Sequence, residues 1–297
     1  MKWEGNRESD NVEDRRGDDG GGGGGGGGFG FGGRSIGIGT IAIALVGSYF
    51  LGVSPMTIIN ALSGGGGAMA PMQQQSPARA PPASDNQAKF VSVVLADTED
   101  TWTALFRAQN AQYRKPKLVL FTGATQTACG TGETASGPFY CPADQKVYID
   151  LAFYRLMQQR FNVNSEFAQA YVIAHEVGHH VQHLLGIDEK VNAARQGGSE
   201  KQANAMLVKL ELQADCFAGV WAFHANRSRN ILEQGDVEGA LAAATAIGDD
   251  TLQQQSQGRV VPDSFTHGTS AQRVRWFSKG IETGEFTQCD TFGARSL

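Results

Sequence analysis

Two histidines and a glutamate lie within five residues in the segment His175-Glu176-Val177-Gly178-His179. On an α-helix, residues four apart lie on the same face, so the two imidazoles can bind one metal ion. A catalytic zinc ion takes three protein ligands and a water. Glu176 is placed to act as general base on that water. The alternative is a helix whose histidines are incidental, and a third ligand in the sequence argues against it.

A candidate for the third ligand lies downstream, in the segment Glu211-Leu212-Gln213-Ala214-Asp215. Glu211 and Asp215 are also four apart, so both carboxylates can face the same neighbour. One can complete the metal site, and the other can accept a hydrogen bond from the second ring nitrogen of a ligand histidine. The alternative is a solvated acidic face. It is disfavoured because the apolar segment continues through Trp221 and Phe223, and a buried carboxylate needs a partner or a metal.

Two predicted helices position these residues. The first runs from Glu166 to Leu185, contains no proline and has apolar residues at spacings of three and four. Asn164 and Ser165 can cap its start, and Gly186 can end it. The second runs from about Glu200 to Ala225 and is also apolar on one side.

At these residues the sequence resembles known proteins. The pairing of HEVGH with a later ELQAD is similar to the gluzincin metallopeptidases. A wider pattern resembles the neutral zinc metallopeptidase family, a bacterial group of membrane-anchored proteases, from roughly Lys89 to the C-terminus. Its parts are Gln126-Thr127-Ala128-Cys129-Gly130, Phe139-Tyr140-Cys141-Pro142, HEVGHHVQ and Phe265-Thr266-His267-Gly268. The resemblance implies a zincin-like α+β fold and one Zn²⁺ per chain. It assigns His175, His179 and Glu211 as zinc ligands, Glu176 as general base and Asp215 as the partner of His175.

The remaining histidines have several possible roles. The segment around His267 reads as the capped start of a helix, because Thr269 can serve as the cap. Alternatively, His267 is catalytic and donates a hydrogen bond to the oxyanion of the tetrahedral intermediate, as zincins of this kind often use a His or Tyr. Arg273 is a further candidate for that role. We expect His180 and His183 at the protein surface or next to the metal ligands.

Composition excludes one class of partner. The chain carries 30 acidic and 25 basic residues, for a net charge of −5, and residues 89–297 contain no basic cluster. We therefore expect no binding to nucleic acid. Many of the 39 glycines lie before residue 70, and residues 89–297 are long enough for one enzyme domain.

All four cysteines lie in residues 89–297, and an even number fits two disulfides if this region is outside the cytosol. Cys129 and Cys141 bracket a glycine-rich loop and are the more natural pair, and Cys216 with Cys289 would tie the Glu211 helix to the C-terminal tail. A second metal site is an alternative, which the absence of a Cys-x-x-Cys pattern disfavours. Free buried thiols are another.

The N-terminal third of the chain has the composition of a membrane anchor. We predict residues 1–34 to be a disordered cytoplasmic tail, because they are polar and then glycine-rich. Residues 35–54 are apolar and uncharged, close to the roughly 20 residues that span a bilayer. Arg34 precedes them and the next basic residue is Arg79, so the positive-inside rule places the N-terminus in the cytoplasm. We predict an uncleaved anchor rather than a cleaved signal peptide or a core helix, with residues 55–88 as a linker.

Within residues 89–297 the pattern mixes helices and strands. It predicts a helix at Asp97 to Tyr113, a strand at Lys117 to Thr122, a hairpin of Pro138 to Cys141 with Lys146 to Leu151, and a loop at Thr251 to Gly258. The strand just before the zinc helix has two interpretations. It is either an ordinary inner strand or the edge strand along which an extended peptide substrate binds.

These observations predict an α+β zincin-like metallopeptidase domain behind one N-terminal transmembrane helix. The predicted place is the bacterial inner membrane, with the domain in the periplasm or otherwise outside the cytoplasm. The predicted activity is hydrolysis of peptides or proteins, as an endopeptidase, by Glu176-assisted attack of zinc-bound water. One alternative is a catalytically silent binding protein of the cell envelope on a zincin scaffold, which the intact Glu176 argues against. Another is a structural envelope protein, which predicts no stoichiometric zinc. The sequence leaves open whether an unidentified regulator gates the site.

Overall fold

The computed structural model of the chain describes residues 1–18, 79–134, 137–161, 163 and 165–297. Segments 1–18 and 79–297 fold as one compact unit. The described residues form six strands and eight α-helices, in the order β1 (Val12–Asp14), α1 (Asn86–Ala108), β2 (Lys117–Phe121), β3 (Ala124–Thr127), β4 (Gly130–Glu133), β5 (Phe139–Cys141), β6 (Lys146–Asp150), α2 (Ala152–Phe161), α3 (Glu166–Leu184), α4 (Ile187–Gln196), α5 (Glu200–Arg229), α6 (Asp236–Ala246), α7 (Asp249–Gln257) and α8 (Ser270–Thr283).

The larger sheet has the strand order β1-β2-β6-β5. Strands β1, β2 and β6 are parallel, and β5 runs antiparallel to β6. The predicted hairpin is therefore confirmed, but β6 is an inner strand because it pairs with both β2 and β5. This excludes the prediction that the strand just before the zinc helix is an edge. The strand at that end of the sheet is β5, whose outer side pairs with no other strand among the described residues.

Two disulfides brace the domain. Cys129 bonds to Cys141 and Cys216 to Cys289, which are the predicted pairings. The first joins β5 to the turn of a small hairpin formed by β3 and β4, in a region that we predicted to be a loop. The second joins α5 to the segment after α8.

Helices α3 and α5 are the two that were predicted to carry the metal ligands, and they pack closely. A Cβ atom on Gly178 of α3 would lie 3.0 Å from the carbonyl oxygen of Ala214 and 3.1 Å from its Cα. Such contacts are tighter than most Cβ atoms make, so a side chain here would require the neighbouring backbone to shift. Glycine at position 178 therefore lets α3 approach the backbone of α5 between Glu211 and Asp215.

Helix α8 also packs closely on α5. It begins as predicted, with a capping box in which Thr269 and Gln272 bond each other's backbone. Near its end, a Cβ on Gly280 would collide with the backbone carbonyl of Cys216. This close approach of α8 to α5 buries Arg273 in the interior.

Residues 1–18 differ from the prediction of a disordered tail. Strand β1 pairs in register with β2, and Trp3 is buried in the core. The carboxylate of Glu99 on α1 is fully buried and accepts hydrogen bonds from Ser9 Oγ at 2.6 Å and Asn11 Nδ2 at 2.7 Å. Burial of a carboxylate requires such partners. The prediction is therefore wrong for residues 1–18, which are part of the domain.

The predicted membrane segment at residues 35–54 and most of the predicted linker lie outside the described residues. The end of that linker belongs to the domain, since the Asp14 N–H donates to the Arg79 carbonyl at 2.7 Å and Asp85 caps α1. No helix in the described part of the chain is both long and apolar enough to cross a membrane.

Two other elements differ from the predicted pattern. Helix α1 starts at Asn86 and ends at Ala108, so it extends further towards the N-terminus than predicted. The glutamine-rich segment that we predicted as a loop is helix α7. Asp249 and Asp250 in its first turn favour a helix start, because carboxylates are stabilised at the positive end of the helix dipole.

Candidate metal centre

The side chains of His175, His179 and Glu211 converge on one point. The Nε2 atoms of the two histidines are 3.2 Å apart. Glu211 Oε2 lies 3.1 Å from His175 Nε2, and Glu211 Oε1 lies 3.5 Å from His179 Nε2. Two donor atoms bound tetrahedrally to zinc would be about 3.3 Å apart, given bond lengths of about 2.0–2.1 Å. The three predicted ligands therefore have the spacing that a zinc ion requires.

Asp215 sets the orientation of His175. Its Oδ1 lies 2.8 Å from His175 Nδ1. The carboxylate accepts two hydrogen bonds from Arg273 and is therefore ionised, so His175 Nδ1 must carry the proton. The lone pair of Nε2 then faces Glu211 and His179. This is the hydrogen bond by which a neighbouring carboxylate fixes the tautomer of a histidine ligand.

His179 is held by a residue of its own helix. Its Nδ1 lies 2.9 Å from the side-chain oxygen of Gln182, three residues further along α3. With both Nδ1 atoms donating, both Nε2 lone pairs face the same point beside a carboxylate. In the neutral state of the imidazoles this arrangement lacks a positive charge, which a proton or a metal ion can supply.

Without a metal, the pKa values of the three ligand residues are shifted in the direction that places a positive charge beside the carboxylates. Burial lowers the pKa of His175, but the carboxylates of Asp215 and Glu211 outweigh burial and raise that pKa to about 10. Burial acts in the opposite direction on Glu211, yet the two histidines hold its pKa well below the usual value. The pKa of Glu176 is raised, mainly because its carboxylate is buried.

Behind the three ligands lies a buried network centred on Asp215. Tyr171 from α3 donates its hydroxyl to Oδ1 at 2.5 Å. Arg273 from α8 donates to both oxygens, at 2.9 Å each. The pKa of Asp215 is lowered, because Arg273 and His175 together outweigh its burial. Arg273 therefore supports the metal centre from behind rather than serving as a free donor to substrate.

His267 lines the same cleft as the three ligands and is half-exposed. Asp249 holds the loop that carries it: Oδ2 accepts the backbone N–H groups of Thr266, His267 and Gly268, at 2.6 to 3.0 Å. Asp249 Oδ1 lies 3.2 Å from His267 Nδ1. This hydrogen bond is the main reason that the pKa of His267 is raised, with burial opposing it.

The cleft around these residues has a volume of about 710 Å³. Glu176 faces it beside the three ligands. On one side it is bounded by strand β5 and the residues just before it, and on the other by α5 and the helices that follow. Its apolar lining includes Phe139, Phe153, Leu156, Leu207, Leu210 and Leu252. An apolar cleft with a few convergent polar groups is typical of a ligand-binding site.

The other histidines of α3 take no part in the centre. His180 is fully buried rather than at the surface, which was one of the two positions we expected, and it lies 2.6 Å from the Arg114 carbonyl and 3.0 Å from Tyr140 Oη. Burial lowers its pKa to about 4. His183 pairs with Asp188 at 2.8 Å. Both rings therefore have structural partners.

Three supporting residues were not predicted from the sequence. The position of Gln182, one helical turn after His179, could have indicated that it contacts this histidine. Gln213 had a weaker signal, since it lies between Glu211 and Asp215 on the predicted helix. Asp249 had none, because its helix was predicted as a loop and its partner His267 is 18 residues further on.

Comparison with known proteins agrees with this geometry. The model of the family described as "Putative neutral zinc metallopeptidase" matches residues 1–292. The chain belongs to this family. The match of the neutral zinc metallopeptidase family starts at the first residue, whereas the motifs alone placed the resemblance from Lys89 onwards. The family therefore includes the N-terminal segment that packs on the domain.

Relatives in two bacteria are similar over most of the chain. The "Uncharacterized protein YpfJ" of Escherichia coli (strain K12) is 52% identical over 293 residues, which are 99% of this chain and 99% of that protein. The "Uncharacterized protein Rv2575" of Mycobacterium tuberculosis (strain ATCC 25618 / H37Rv) is 40% identical over 219 residues, which are 70% of this chain and 73% of that protein. No solved structure matches this chain.

Proposed function

We propose that this protein is a zinc-dependent peptidase that cleaves internal bonds of peptides or proteins, with Glu176 as the general base. The observation that carries the proposal is the convergence of His175, His179 and Glu211 at 3.1 to 3.5 Å inside a cleft that Glu176 also faces. Membership of the neutral zinc metallopeptidase family supports it.

The chemistry follows from the roles of individual side chains. Zinc held by His175, His179 and Glu211 would lower the pKa of a water molecule to about 7 and polarise the substrate carbonyl. Glu176 accepts the proton of the attacking water, for which a pKa raised by burial is suitable, and returns it to the leaving amine. His267 donates a hydrogen bond to the carbonyl oxygen as that atom gains negative charge.

A peptide is the class of substrate that fits the cleft best. Strand β5 lies at the end of the sheet and borders the cleft through Phe139 and Tyr140. The backbone groups on its outer side, which pair with no other strand that the structure describes, can pair with an extended chain, which would add one strand to the sheet. Because β5 and Glu176 line the same cleft, a chain paired with β5 would lie in the cleft that contains the proposed base.

We further propose that the domain works in the bacterial cell envelope, outside the cytosol. Its two disulfides support this, because disulfides persist in oxidising compartments. We propose that the apolar residues 35–54 attach the domain to the membrane from one side, because strands β1 and β2, which flank this segment in sequence, pair with each other.

The test is the substitution Glu176→Gln in the full chain, assayed with a mixed peptide library by mass spectrometry. We expect zinc content to remain near one ion per chain, because Gln182, Asp215 and the three ligands are unchanged. We expect cleavage to fall by roughly 10²–10⁴-fold, which is what a general base typically contributes. A matched control is Glu189→Gln, which changes an exposed glutamate of α4 and should leave cleavage unchanged.

The two alternatives give different results in the same experiment. If the wild type binds zinc but cleaves peptides no faster than the Glu176→Gln variant does, the protein is a binding protein on this scaffold. Wild-type protein that binds no zinc stoichiometrically would have only a structural role. Either outcome overturns the proposed peptidase.

A further inference from the structure

A chain of buried side-chain amides connects the metal centre to one of the two disulfides. It runs from His179 through Gln182 and Gln213 to the backbone of Cys289, which is bonded to Cys216. Gln182 is fully buried and Gln213 is 6% exposed. None of these contacts is needed to hold Asp215 or Arg273, so the chain is separate from the network behind His175.

The two ends of this chain determine the orientation of every amide within it. The Cys289 carbonyl can only accept, so the amide nitrogen of Gln213 must face it, at 2.9 Å. The side-chain oxygen of Gln213 then faces Gln182 and accepts from its amide nitrogen at 3.1 Å. The same nitrogen of Gln182 also donates to the Leu210 carbonyl at 2.7 Å.

This order of donors and acceptors allows only one orientation of the Gln182 amide at His179. With its nitrogen turned towards Leu210 and Gln213, Gln182 presents its oxygen to His179 Nδ1 at 2.9 Å. That oxygen can only accept, so Nδ1 of His179 must carry the proton. The lone pair of Nε2 is then directed at Glu211 and His175, where a metal ion would bind.

We propose that Gln182 and Gln213 form an amide relay that holds His179 in its metal-binding tautomer, and that the Cys216–Cys289 disulfide fixes the far end of this relay. The proposal rests on the metal centre of the proposed function but does not require catalysis. Gln182 and Gln213 are positioning residues, because each acts on the metal centre only through His179. The disulfide matters because the Cys289 carbonyl belongs to the segment after α8, which the bond to Cys216 ties to α5.

The relay predicts that substitutions distant from the metal weaken its binding. Loss of an outer hydrogen-bond partner of a ligand typically lowers metal affinity by about 10–100-fold. We expect Gln182→Leu to show a loss of that size, and Gln213→Leu a smaller loss of roughly threefold to tenfold, because it acts one step further away. The pair Cys216→Ser with Cys289→Ser should weaken zinc binding by a similar factor to Gln213→Leu.

The measurement is the zinc dissociation constant of each full-length variant, obtained by competition with a chromophoric chelator. The absorption spectrum of the Co²⁺-loaded protein provides a second readout of ligand geometry. Matched controls are Gln196→Leu, at an exposed glutamine of α4, and the pair Cys129→Ser with Cys141→Ser, which removes the other disulfide. Both controls should bind zinc as the wild type does. Thermal unfolding of the metal-free variants establishes that each one folds, and Gln213→Asn, one methylene shorter, replaces any Gln213→Leu protein that does not.

Residues acting in series also predict non-additive effects. The double variant Gln182→Leu with Gln213→Leu should bind zinc no more weakly than Gln182→Leu alone, because the second change breaks a chain that is already broken. The proposal is overturned if Gln213→Leu and the Cys216–Cys289 variant bind zinc like the wild type, or if the losses of the two glutamine variants simply add. Failure of the proposed function is distinguishable. A wild type without zinc removes the metal centre itself, and a wild type with zinc but no peptidase activity leaves the relay intact.

Discussion

Arg273 donates a hydrogen bond to each oxygen of Asp215. Its Nε lies 2.9 Å from Oδ2 and its Nη2 lies 2.9 Å from Oδ1. Both side chains are buried, at 3% and 0% exposure. Asp215 also accepts from His175, so one carboxylate joins a positive charge on α8 to a ligand on α3. The position of helix α8 thereby contributes to the geometry of the metal centre, although none of its residues binds the metal.

Removing the charge of Arg273 should therefore cost stability. Arg273→Met keeps most of the side-chain volume but leaves the buried Asp215 without its main partner. We expect the free energy of unfolding of the metal-free protein to fall by about 3–5 kcal/mol, as when one member of a buried pair is lost. Urea denaturation measures this. Arg275→Met, at an exposed arginine of the same helix, should cost less than about 0.5 kcal/mol, and equal losses would contradict the assigned role.

Zinc binding should depend on pH because the metal-free protein holds a proton at the site. The pKa of His175 is raised to about 10, and zinc binds only the neutral imidazole. Zinc affinity should therefore rise by about tenfold per pH unit for each proton released, between about pH 6 and 9. Calorimetric titration of chelator-treated protein, in buffers of different ionisation enthalpy, counts the protons. An affinity that does not change with pH would exclude this linkage.

The proton on His175, which weakens zinc binding, stabilises the fold of the metal-free protein. Because the folded pKa of His175 lies above its ordinary value of 6.5, its charge stabilises the metal-free fold fully below pH 6.5. That contribution is lost as the pH rises towards about 10. Removal of zinc with a chelator should consequently destabilise the protein more at high pH than at low pH.

Asp249 should determine the pH at which activity is lost on the alkaline side of the pH profile. If His267 donates to the oxyanion as a cation, activity is lost when the pH rises through its pKa, which Asp249 raises. Asp249→Asn lowers that pKa, so the alkaline limb should move to lower pH. His267→Gln should lower kcat by about 10²–10³-fold, as for a lost oxyanion donor, with zinc content unchanged. An unshifted limb in Asp249→Asn would show that His267 does not act as a cation.

The N-terminal segment should lose stability in acid as Glu13 becomes protonated. Glu13 is buried, and although burial raises its pKa, hydrogen bonds from Lys117, Lys146 and Arg15 lower it to about 2. Its contribution to stability is thus complete above the ordinary value of 4.5 and is lost as the pH falls to about 2.

The substitution Glu13→Gln removes this contribution. We expect it to cost roughly 2 kcal/mol at neutral pH and to flatten the dependence of stability on pH in the acid range, as measured by urea denaturation. Glu8→Gln is the matched control, because Glu8 is half-exposed. A Glu13 variant as stable as this control would contradict the importance of the three cations.

The meeting of His175, His179 and Glu211 agrees with the sequence prediction, because helical periodicity places the residues of each pair on one face of its helix. His175 and His179 share a face of α3, as Glu211 and Asp215 share a face of α5, and Gly178 lets the two faces approach. The sequence did not indicate Arg273 as the support of Asp215, since spacing within α8 does not show which helix it faces.

For the N-terminal segment, composition led to a wrong prediction of disorder. Strand β1 is only three residues long and two of them are acidic, so it has neither length nor alternation as a signal. Two of the three cations that surround the buried Glu13 are Lys117 and Lys146, more than 100 residues away. Charge content suggested disorder, whereas these two partners lie in another part of the chain.

The parallel pairing of β1 with β2 restricts how this protein can be attached to a lipid bilayer. Val12–Asp14 and Lys117–Phe121 share backbone hydrogen bonds, so both must lie on the same side of any bilayer. A single crossing by residues 35–54 would put them on opposite sides, and the predicted topology, with a cytoplasmic N-terminus and an exported domain, is incompatible with this sheet. If the disulfide-bonded part of the chain is exported, the first 18 residues must be exported with it.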